Sequence, residues 1–415
     1  MMDATRFNRR LDWIFAAALA NFAAAVAVLF PHHAPDTARF LAEAKNLAAA
    51  GIFSLDGVTA TARDFPLLPA ILALFIKLGL TDPEPAARIL NGLCTGVTAL
   101  GVARGISLLL ERDRPGAPEP GPLWPRLGML AAGLHPALLG SATFVLTEPL
   151  YTALFLWANL FLLRAWREPE HARAGLRWLI GGLLLGLACL TRAVPLLYLP
   201  CWLGVAWLLR RPDPRAVKRA AAALGVMLLL VLPWTLRNLH ATGRFVPVAF
   251  GTGTYLYVGA SQEWQAAWPD FDPAERLAGE TGVSILEADA RLGRQAVAAI
   301  AADPGGWMKL NLLKLKRFFL EVPGSKKQIA SALAVRLLLA ANLAGLLLAA
   351  AGVWVCRRSP AAWLLLLPVA YTALLHTALY SMGRFRVPVE PYILLFAVAA
   401  GQAAVAAWPR RRSTE

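Results

Sequence analysis

Charged residues are scarce in this chain, and their scarcity limits the class of protein it can be. Asp, Glu, Lys and Arg make up 16% of the 415 residues, while hydrophobic residues make up 58%. A soluble domain carries roughly a quarter of its residues as charges. The composition therefore excludes a soluble globular protein and fits a polytopic membrane protein.

Cysteine is also sparse, and the chain offers no recognisable set of metal ligands. Structural zinc sites and disulfide frameworks use paired, regularly spaced cysteines. None of the four cysteines forms a CxxC pair or lies close to a histidine in the sequence, namely Cys94, Cys189, Cys201 and Cys356. Carboxylates are too few near one another to favour a tight site for a hard cation. We therefore expect no metal and no cofactor.

Ionisable residues are nearly absent from the middle of the apolar runs, and nucleotide-binding motifs are missing as well. An ion-coupled transporter usually needs charges near the bilayer midplane. The stretch GTGTYLYVG at 251–259 lacks the lysine and the preceding strand of a phosphate-binding loop. Both observations disfavour an ion-coupled transporter and a nucleotide-dependent enzyme.

Apolar runs near the length that spans a hydrocarbon core about 30 Å thick recur along the chain. We interpret ten of them as transmembrane spans, at 11–30, 86–110, 127–146, 148–163, 178–191, 195–209, 220–236, 332–355, 361–380 and 388–408. The first run is too long for a signal peptide and lacks its cleavage site, so we expect it to remain as an anchor. The expected fold class is an all-α integral membrane bundle.

Basic clusters set the expected orientation of these spans. The net charge is +15, but the arginines stand in short clusters beside the apolar runs, which is typical of topology anchors on the cytoplasmic side. The predicted cytoplasmic clusters lie at 6–10, 111–126, 164–177, 210–219, 357–358 and 410–412. The lipid bilayer is therefore the expected partner of these charges, and no nucleic acid is expected.

The apolar run at 65–80 would break this alternation if it crossed the membrane. It has 16 residues and contains Pro66, Pro69 and Lys77, and as a helix it reaches only about 24 Å. We predict that it lies in the outer interface. The predicted layout is then a single transmembrane domain at 1–412, with interfacial helices in a first external loop at 31–85 and in a long external loop at 238–331, and with a cytoplasmic tail at 409–415.

The first external loop opens with an amphipathic pattern at helical spacing. The apolar face consists of Phe40, Leu41, Ala44, Leu47 and Ala48, and the polar face consists of Arg39, Glu43 and Asn46. Asp36 stands at the expected start of this helix and Gly51 at its expected end. The pattern predicts an interfacial helix.

Polar residues gather on the predicted external side, and this layout suits group transfer from a lipid phosphate. A glycosyl phosphate already carries a good leaving group, so the site needs arginine forks that stabilise the growing negative charge. It also needs a carboxylate that accepts a proton from the incoming hydroxyl. One carboxylate is enough for a single displacement with inversion, whereas a double displacement needs a second one as nucleophile.

Five short motifs follow one another along nearly the whole chain, from about residue 10 to 405. They are DTARFLAEAKNLAAAGIFS, RDFPLLPAILALFIKLG, TEPLY, PWTLRN and GRFRVPVEP. In this order the chain resembles the C-type (GT-C) membrane glycosyltransferases, and most of all the bacterial branch related to protein O-mannosyltransferase, lipid A aminoarabinose transferase and core galacturonosyltransferase. The resemblance implies a GT-C-like bundle, a polyprenyl-phosphate-linked sugar donor, and a glycolipid, glycan or protein acceptor.

The resemblance also implies two acidic site residues. Asp36 matches the loop acid proposed as the catalytic base of the family, and Glu148 matches its second acidic position, where many relatives have aspartate. An aspartate pKa near 3.9 suits a base poorly at neutral pH, so we expect desolvation to raise it. Each acid also has a structural interpretation, as a helix N-cap for Asp36 and as a helix start beside Pro149 for Glu148.

Five basic residues are expected at the donor phosphate. Arg384 and Arg386 match a basic position that the family is thought to turn toward the lipid phosphate, and Arg237 stands at the outer end of its span. Arg63 and Lys77 flank the predicted interfacial helix. Snorkelling to lipid headgroups is the structural alternative for these cations. Leu68 stands where relatives have a tyrosine, which leaves the acceptor open.

The sequence as a whole predicts an inverting glycosyltransferase of the bacterial inner membrane with its site on the periplasmic face. Two alternatives remain open. A lipid-linked sugar transporter or flippase would need polar residues along a path between both faces of the membrane. A glycan ligase would use lipid diphosphate donors on the same scaffold.

Overall fold

The computed structural model of the protein describes residues 4–111, 121–210, 214–321 and 332–412. Parts of the predicted clusters at 111–126 and 210–219, the end of the long loop at 322–331 and residues 413–415 of the predicted tail lie outside the described residues. Regular structure in the described ranges is helical, apart from one isolated bridge between Ser54 and Ala60.

Seventeen α-helices run through these described ranges, with 3-10 helices at Val194–Leu197 and Gly383–Val389. They are α1 (Ala4–Leu29), α2 (Pro35–Ala50), α3 (Leu67–Lys77), α4 (Pro83–Leu110), α5 (Leu123–Gly133), α6 (Pro136–Ala142), α7 (Glu148–Arg167), α8 (Ala174–Thr191), α9 (Tyr198–Leu209), α10 (Pro214–Thr242), α11 (Thr252–Ala260), α12 (Pro273–Thr281), α13 (Ile285–Ala302), α14 (Pro304–Leu320), α15 (Ala332–Cys356), α16 (Pro360–Ala378) and α17 (Glu390–Arg412).

Seven helical segments of the described chain are long and apolar enough to cross a membrane by length and composition. They lie in α1, α4, α8, α10, α15 and α16, and in the 3-10 helix that continues into α17. These segments coincide with seven of the ten predicted spans. The expected fold class, an all-α integral membrane bundle, is confirmed.

The other three predicted spans are helical but do not meet the same criteria. The predicted span 148–163 lies in α7, and 195–209 is a short 3-10 helix followed by the 12-residue α9. The predicted span 127–146 is interrupted, because α5 ends at Gly133 and α6 begins at Pro136. Proline lacks an amide donor and disfavours the helical conformation in the residue before it, which explains the break.

Small residues allow α1 and α4 to pack closely. A Cβ atom at Gly92 would lie 2.4 Å from the backbone of Ala24, and one at Gly96 would lie 2.4 Å from the Cβ atom of Ala20. Gly92 and Gly96 are four residues apart, the spacing with which small residues let membrane helices approach each other. Because α2 follows α1 directly, the close packing of α1 against α4 also positions α2.

The run at 65–80 forms α3, which packs on α2 and is too short to cross a bilayer. Its 11 residues span only about 16 Å at the usual helical rise. Leu68 and Leu72 are fully buried in one apolar cluster with Phe40 and Ala44 of α2. The two helices of the first loop therefore form one packed layer.

Charged contacts divide the bundle into two ends. At one end Asp12 pairs with Arg126, Glu111 with Arg164 and Glu168 with Arg177, so residues of two predicted cytoplasmic clusters lie together with the start of the first predicted span. At the other end, the loops 31–82 and 243–321 meet through an ion pair between Arg63 and Asp272. We call this second end the loop face. The first loop and the long loop therefore meet at one end of the bundle, and the assignment of the two ends to the two sides of a membrane stays a prediction.

Candidate active site

A cavity of about 500 Å³ opens in the loop face between the first loop and the long loop. Its lining combines charged and aromatic side chains. Among the lining residues are Asp36, Arg39, Arg63, Asp64, Tyr255, Trp268, Asp270, Asp272, Glu275, Tyr380 and Arg384. A second cavity, of about 630 Å³, lies at the opposite end among ion-paired residues such as Asp12 and Glu111. We centre the candidate site on the loop-face cavity because it contains the predicted acid and an arginine.

Asp36 occupies the first turn of α2, which begins at Pro35. Its carboxylate does not cap the helix. One oxygen accepts a hydrogen bond from Arg39 Nη2 at 2.9 Å, and the other accepts one from Arg384 Nη2 at 2.7 Å. The predicted helix ends as expected at Gly51, whose φ of 70° is a left-handed conformation that glycine adopts without strain. The start of α2 thus delivers a carboxylate to the cavity wall.

The pKa of Asp36 differs from the expectation drawn from the sequence. Burial by itself raises the pKa of this carboxyl, but the guanidinium groups of Arg384 and Arg39 lower it by more, so the pKa lies below its usual value. Burial favours the neutral form and nearby cations favour the charged form. The expected upward shift is therefore wrong, since the cations outweigh desolvation.

Arg384 connects Asp36 to a second acid deeper in the bundle. Its Nε atom lies 3.7 Å from Glu148 Oε1, and Arg192 Nη1 lies 3.1 Å from the same oxygen. Glu148 is only 2% exposed. The four residues form a line of alternating charge from the cavity wall into the bundle. Arg384 Nε is itself buried without a hydrogen-bond partner, which leaves one strong donor unsatisfied.

The irregular segment 143–147 positions Glu148 at the start of α7. Asn91 of α4 donates hydrogen bonds to the carbonyls of Phe144 and Leu146, and Arg88 donates to that of Thr143. These bonds satisfy backbone groups that the interruption of the helix would otherwise leave unpaired in a buried environment. The break after α6 therefore has a structural role, because it fixes the acid that follows it.

Two further acids, Asp64 and Glu43, lie near Asp36 around Arg39. Arg39 donates to both oxygens of Asp64 at 2.9 and 3.2 Å. Glu43 was expected on the polar face of α2 but is fully buried. Burial and the neighbouring Asp64 carboxylate raise the pKa of Glu43 to about 9. The expected polar face is therefore wrong at Glu43, because this side chain lies inside the fold beside Asp64.

Arg237 lies at the end of α10 and supports the first loop. It donates to the carbonyls of Phe53 and Thr61, and its guanidinium group lies over the Trp234 ring at 4.8 Å from the centroid. These contacts occupy its donors within the protein. The structure does not bring Arg237 to the wall of the cavity described above.

Arg63 and Lys77 differ in their surroundings. Arg63 lines the cavity and pairs with Asp272 at 2.8 Å and with Glu275, so it ties the first loop to α12. Lys77 is exposed at the end of α3 and does not line the cavity. Of these two cations, the structure brings only Arg63 to the candidate site.

Arg386 is two residues from Arg384 but lies in different surroundings. It is 2% exposed, pairs with Glu390 at 2.6 Å and donates to the carbonyl of Phe319. It does not line the cavity. Of the seven predicted site residues, the structure brings Asp36, Glu148 and Arg384 together, adds Arg63 at the cavity wall, and places Lys77, Arg237 and Arg386 elsewhere.

Sequence reasoning missed the contributions of Arg192 and of the aromatic side chains. Arg192 was visible as an arginine at the end of a span on the predicted outer side, where basic residues are depleted. Tyr255, Trp268 and Tyr380 come from the long loop and the end of α16, and only folding brings them together. Within the described residues, no group of three or more His, Cys, Asp or Glu side chains is arranged to hold a metal ion.

The comparisons with known proteins agree with this architecture. No protein-family model matches the sequence, and no curated protein matches it. Among solved structures, the chain is similar to the oligosaccharyltransferase AglB of Archaeoglobus fulgidus in complex with an inhibitory peptide and a dolichol-phosphate, with a TM-score of 0.55 and 14% identity over 96% of this chain. The apo form of the A. fulgidus oligosaccharyltransferase gives a TM-score of 0.54, 13% identity and the same coverage of this chain.

The protein has the C-type glycosyltransferase membrane fold. This confirms the fold that the five motifs implied. The chain spans about half the length of the archaeal oligosaccharyltransferase, 51%. ArnT from Cupriavidus metallidurans bound to undecaprenyl phosphate is a further similar structure, with a TM-score of 0.44 and 18% identity over 98% of this chain and 80% of that chain. In the C-type fold of this protein, the cavity lies between the two loops that follow α1 and α10.

Proposed function

We propose that this protein moves a sugar from a polyprenyl-phosphate donor to a hydroxyl group of a glycolipid, glycan or protein, at the periplasmic face of a bacterial inner membrane. One observation carries the proposal, which is the line of charges from Asp36 through Arg384 and Glu148 to Arg192. It offers one carboxylate to a cavity and two guanidinium groups beside it. Those are the groups that transfer from a glycosyl phosphate needs.

The arginines support a phosphate donor. Arg384 Nε is buried without a hydrogen-bond partner, and a phosphate oxygen is a good acceptor for a guanidinium fork. One similar structure, the archaeal oligosaccharyltransferase, holds a dolichol-phosphate. A polyprenyl phosphate has the same head group and a similar isoprenoid chain. We therefore assign the phosphate of the donor to Arg384, with Arg192 behind it.

Donor binding would convert Asp36 into a better base. Arg384 and Arg39 hold the pKa of Asp36 below its usual value. A phosphate that pairs with Arg384 cancels part of that positive charge. The arginines then lower the pKa of Asp36 by less, while desolvation still raises it. The pKa of Asp36 rises toward the working pH, which favours proton transfer. The base is therefore activated when its substrate is present.

The proposed reaction is a single displacement. The acceptor oxygen attacks the anomeric carbon and gives its proton to Asp36, while the bond between that carbon and the phosphate oxygen breaks and its electron pair leaves with the polyprenyl phosphate. Attack opposite to the leaving group inverts the configuration. Glu148 is 2% exposed and paired with Arg192, so we assign it a positioning role and not that of a nucleophile.

The location of the site follows from the charges of the two ends. The basic clusters that contain Arg126, Arg164 and Arg177 lie at the end opposite to the loop face. Positively charged loops remain on the cytoplasmic side during insertion. We therefore place the loop face, and the site in it, in the periplasm.

The proposal is tested by mass spectrometry of envelope glycans and glycolipids from cells with the gene, without it, and with the Asp36→Asn variant. We expect one component to lose a single sugar in the deletion strain and in the variant. Removal of a general base typically costs about 10²- to 10⁴-fold in rate. An immunoblot of the membrane fraction reports whether the variant accumulates normally.

The matched control is Glu170→Gln, which neutralises a carboxylate with a 78% exposed side chain at the opposite end of the bundle. It should restore the missing sugar fully. The proposal fails if the deletion changes no envelope component, or if Asp36→Asn restores the sugar as well as the control does.

A further inference from the structure

An aromatic wall lines the loop-face cavity on the side of the long loop. The rings of Tyr255 and Tyr380 lie nearly parallel, with 16° between their planes and 6.1 Å between centroids. Trp268 lies 5.5 Å from Tyr255 and 5.4 Å from Tyr380. Tyr255 is 39% exposed although it packs among these rings, and it lines the cavity. Trp268 is half-buried and Tyr380 is buried behind these rings, so the exposed aromatic surface of the cavity comes from Tyr255 and Trp268.

Carboxylates border this wall. Asp270 and Asp272 line the same cavity within four residues of Trp268. Asp272 caps α12 and pairs with Arg63, whereas Asp270 is exposed and makes no ion pair with any described residue. Its oxygens are therefore available to accept hydrogen bonds from a ligand. The cavity combines aromatic faces with hydrogen-bond acceptors over a short distance.

The backbone that presents Trp268 is held in a strained form. Gln265 and Ala266 have φ values of 48° and 54°, in the left-handed region that residues other than glycine rarely adopt. Arg317 of α14 donates to the carbonyls of both residues at 2.9 Å. Strain of this kind persists only where surrounding contacts enforce it, and it concentrates at ligand sites. The contacts of Arg317 therefore fix the loop that carries the tryptophan.

We infer that the aromatic wall binds a saccharide, so that the acceptor is a glycan or the sugar head of a glycolipid. A pyranose ring has an apolar face of C–H groups, which packs against the negative face of an aromatic ring. Its hydroxyl groups lie around the edge, where Asp270 can accept their hydrogen bonds. A peptide backbone has no comparable face of C–H groups to pack against the rings. That this saccharide is the acceptor of the reaction rests on the proposed function.

The aromatic wall lies next to the proposed base. Tyr255, Trp268 and Tyr380 line the same cavity as Asp36 and Arg384. Arg192 and Glu148 lie deeper in the bundle, at the end of α8 and the start of α7, which is the side from which we expect a membrane-embedded donor to reach Asp36. A sugar stacked on the wall can therefore present a hydroxyl group to Asp36.

The inference is tested by saturation-transfer-difference NMR with the full-length protein in nanodiscs. The probes are maltose, lactose and N,N′-diacetylchitobiose, with a neutral Ser/Thr peptide as a comparator. We expect transfer to C–H protons of at least one saccharide and about tenfold weaker binding in Trp268→Ala. Trp354→Ala is the matched control, because that side chain is 67% exposed on α15, and it should bind as the unaltered protein does.

The inference is overturned if no saccharide gives a signal that depends on Trp268, or if the peptide binds more strongly through the same residue. Binding of undecaprenyl phosphate is measured in parallel and should be the same in Trp268→Ala as in the unaltered protein. If undecaprenyl phosphate fails to bind any variant while the saccharide result holds, the proposed donor is wrong and the saccharide site stands. The two failures are therefore distinguishable.

Discussion

Arg384 Nη2 and Asp36 Oδ2 lie 2.7 Å apart, although 348 positions separate the two residues in the chain. This contact joins the first helix of the first loop to the segment that begins the last transmembrane helix. It also means that the proposed base and the arginine proposed to bind the donor phosphate are paired with each other. The donor must compete for Arg384, and the consequences of that competition are measurable.

Replacement of Arg384 by alanine is expected to affect both donor binding and pH dependence. Loss of a charged hydrogen bond should raise the KM for the donor roughly 10- to 100-fold. Arg384 lowers the pKa of Asp36, so its removal raises that pKa. The carboxylate then becomes protonated at a higher pH, and the acid limb of the pH–rate profile shifts to higher pH. Transfer from a purified polyprenyl-phosphate donor, measured from pH 4 to 8, tests both effects.

Lys77→Ala is the matched control, since this cation is exposed outside the cavity. Its donor KM and its pH profile should equal those of the unaltered protein. A normal KM in Arg384→Ala would remove this residue from the phosphate site.

Replacement of Arg386 by alanine is expected to affect stability and not donor binding. Its side chain is buried against Glu390 and the carbonyl of Phe319. Removal of one partner of a buried ion pair leaves an uncompensated charge and costs about 3–5 kcal/mol. Thermal unfolding in detergent should therefore begin several degrees lower, while the affinity for undecaprenyl phosphate stays the same.

The double variant Arg386→Met with Glu390→Gln provides the comparison, because it removes both charges and should recover much of the lost stability. Weaker binding of undecaprenyl phosphate by folded Arg386→Ala would contradict the purely structural role of Arg386. It would show that this arginine contributes to the donor site.

Glu43 is expected to make stability depend on pH. Its pKa is raised from 4.5 to about 9 in the folded protein, so between these values the folded state holds a proton that the unfolded state has lost. Stability must then fall as the pH rises from about 5 to 9, by up to about 1.4 kcal/mol per pH unit. Glu43→Gln keeps a neutral side chain of the same shape and should flatten this slope, with its largest stabilisation near pH 9.

Unfolding midpoints at pH 5, 7 and 9 measure this effect. Glu170→Gln, which neutralises an exposed glutamate, should retain the slope of the unaltered protein. If Glu43→Gln and the unaltered protein lose stability equally between pH 5 and 9, Glu43 is ionised in the folded state and its raised pKa is wrong.

Arg237→Ala is expected to loosen the first loop. The side chain donates to carbonyls at Phe53 and Thr61 and stacks on Trp234. Its loss leaves the Thr61 carbonyl without a partner, at a cost of about 1–3 kcal/mol, while the Phe53 carbonyl keeps only the Thr61 amide. Hydrogen exchange should accelerate at residues 53–61 relative to α4. Arg215→Ala, with a 74% exposed side chain at the opposite end, should leave the exchange pattern unchanged. Unaltered exchange in Arg237→Ala would show that other contacts hold the loop.

The two arginines of GRFRVPVEP illustrate what the sequence cannot distinguish. Arg384 and Arg386 are close in sequence, equally basic and on the same predicted side. They lie in a 3-10 helix, in which residues two apart point in directions that differ by about 240°. Only one of them can face the cavity. Which one does so depends on where Glu390 and Phe319 lie, and these residues come from different elements.

The sequence was more informative where one property dominates. Hydrophobic length and the positions of arginines predicted the membrane bundle, the short helix at 65–80 and the gathering of Asp36, Glu148 and Arg384 at one end. These features depend on the cost of placing charges and unpaired backbone groups in hydrocarbon, and that cost acts on each segment separately. They can therefore be predicted without knowledge of the tertiary contacts.

The sequence by itself determined that this is a helical membrane protein with acids and arginines at its two loops. The tertiary structure decided which of those charges meet, that Glu43 is buried, and that Tyr255, Trp268 and Tyr380 form one wall. The physical reason is the distance over which each kind of interaction acts. Hydrophobic burial and charge sorting act locally along the chain, whereas pairing and stacking require distances of a few ångströms between residues that only the complete fold brings together.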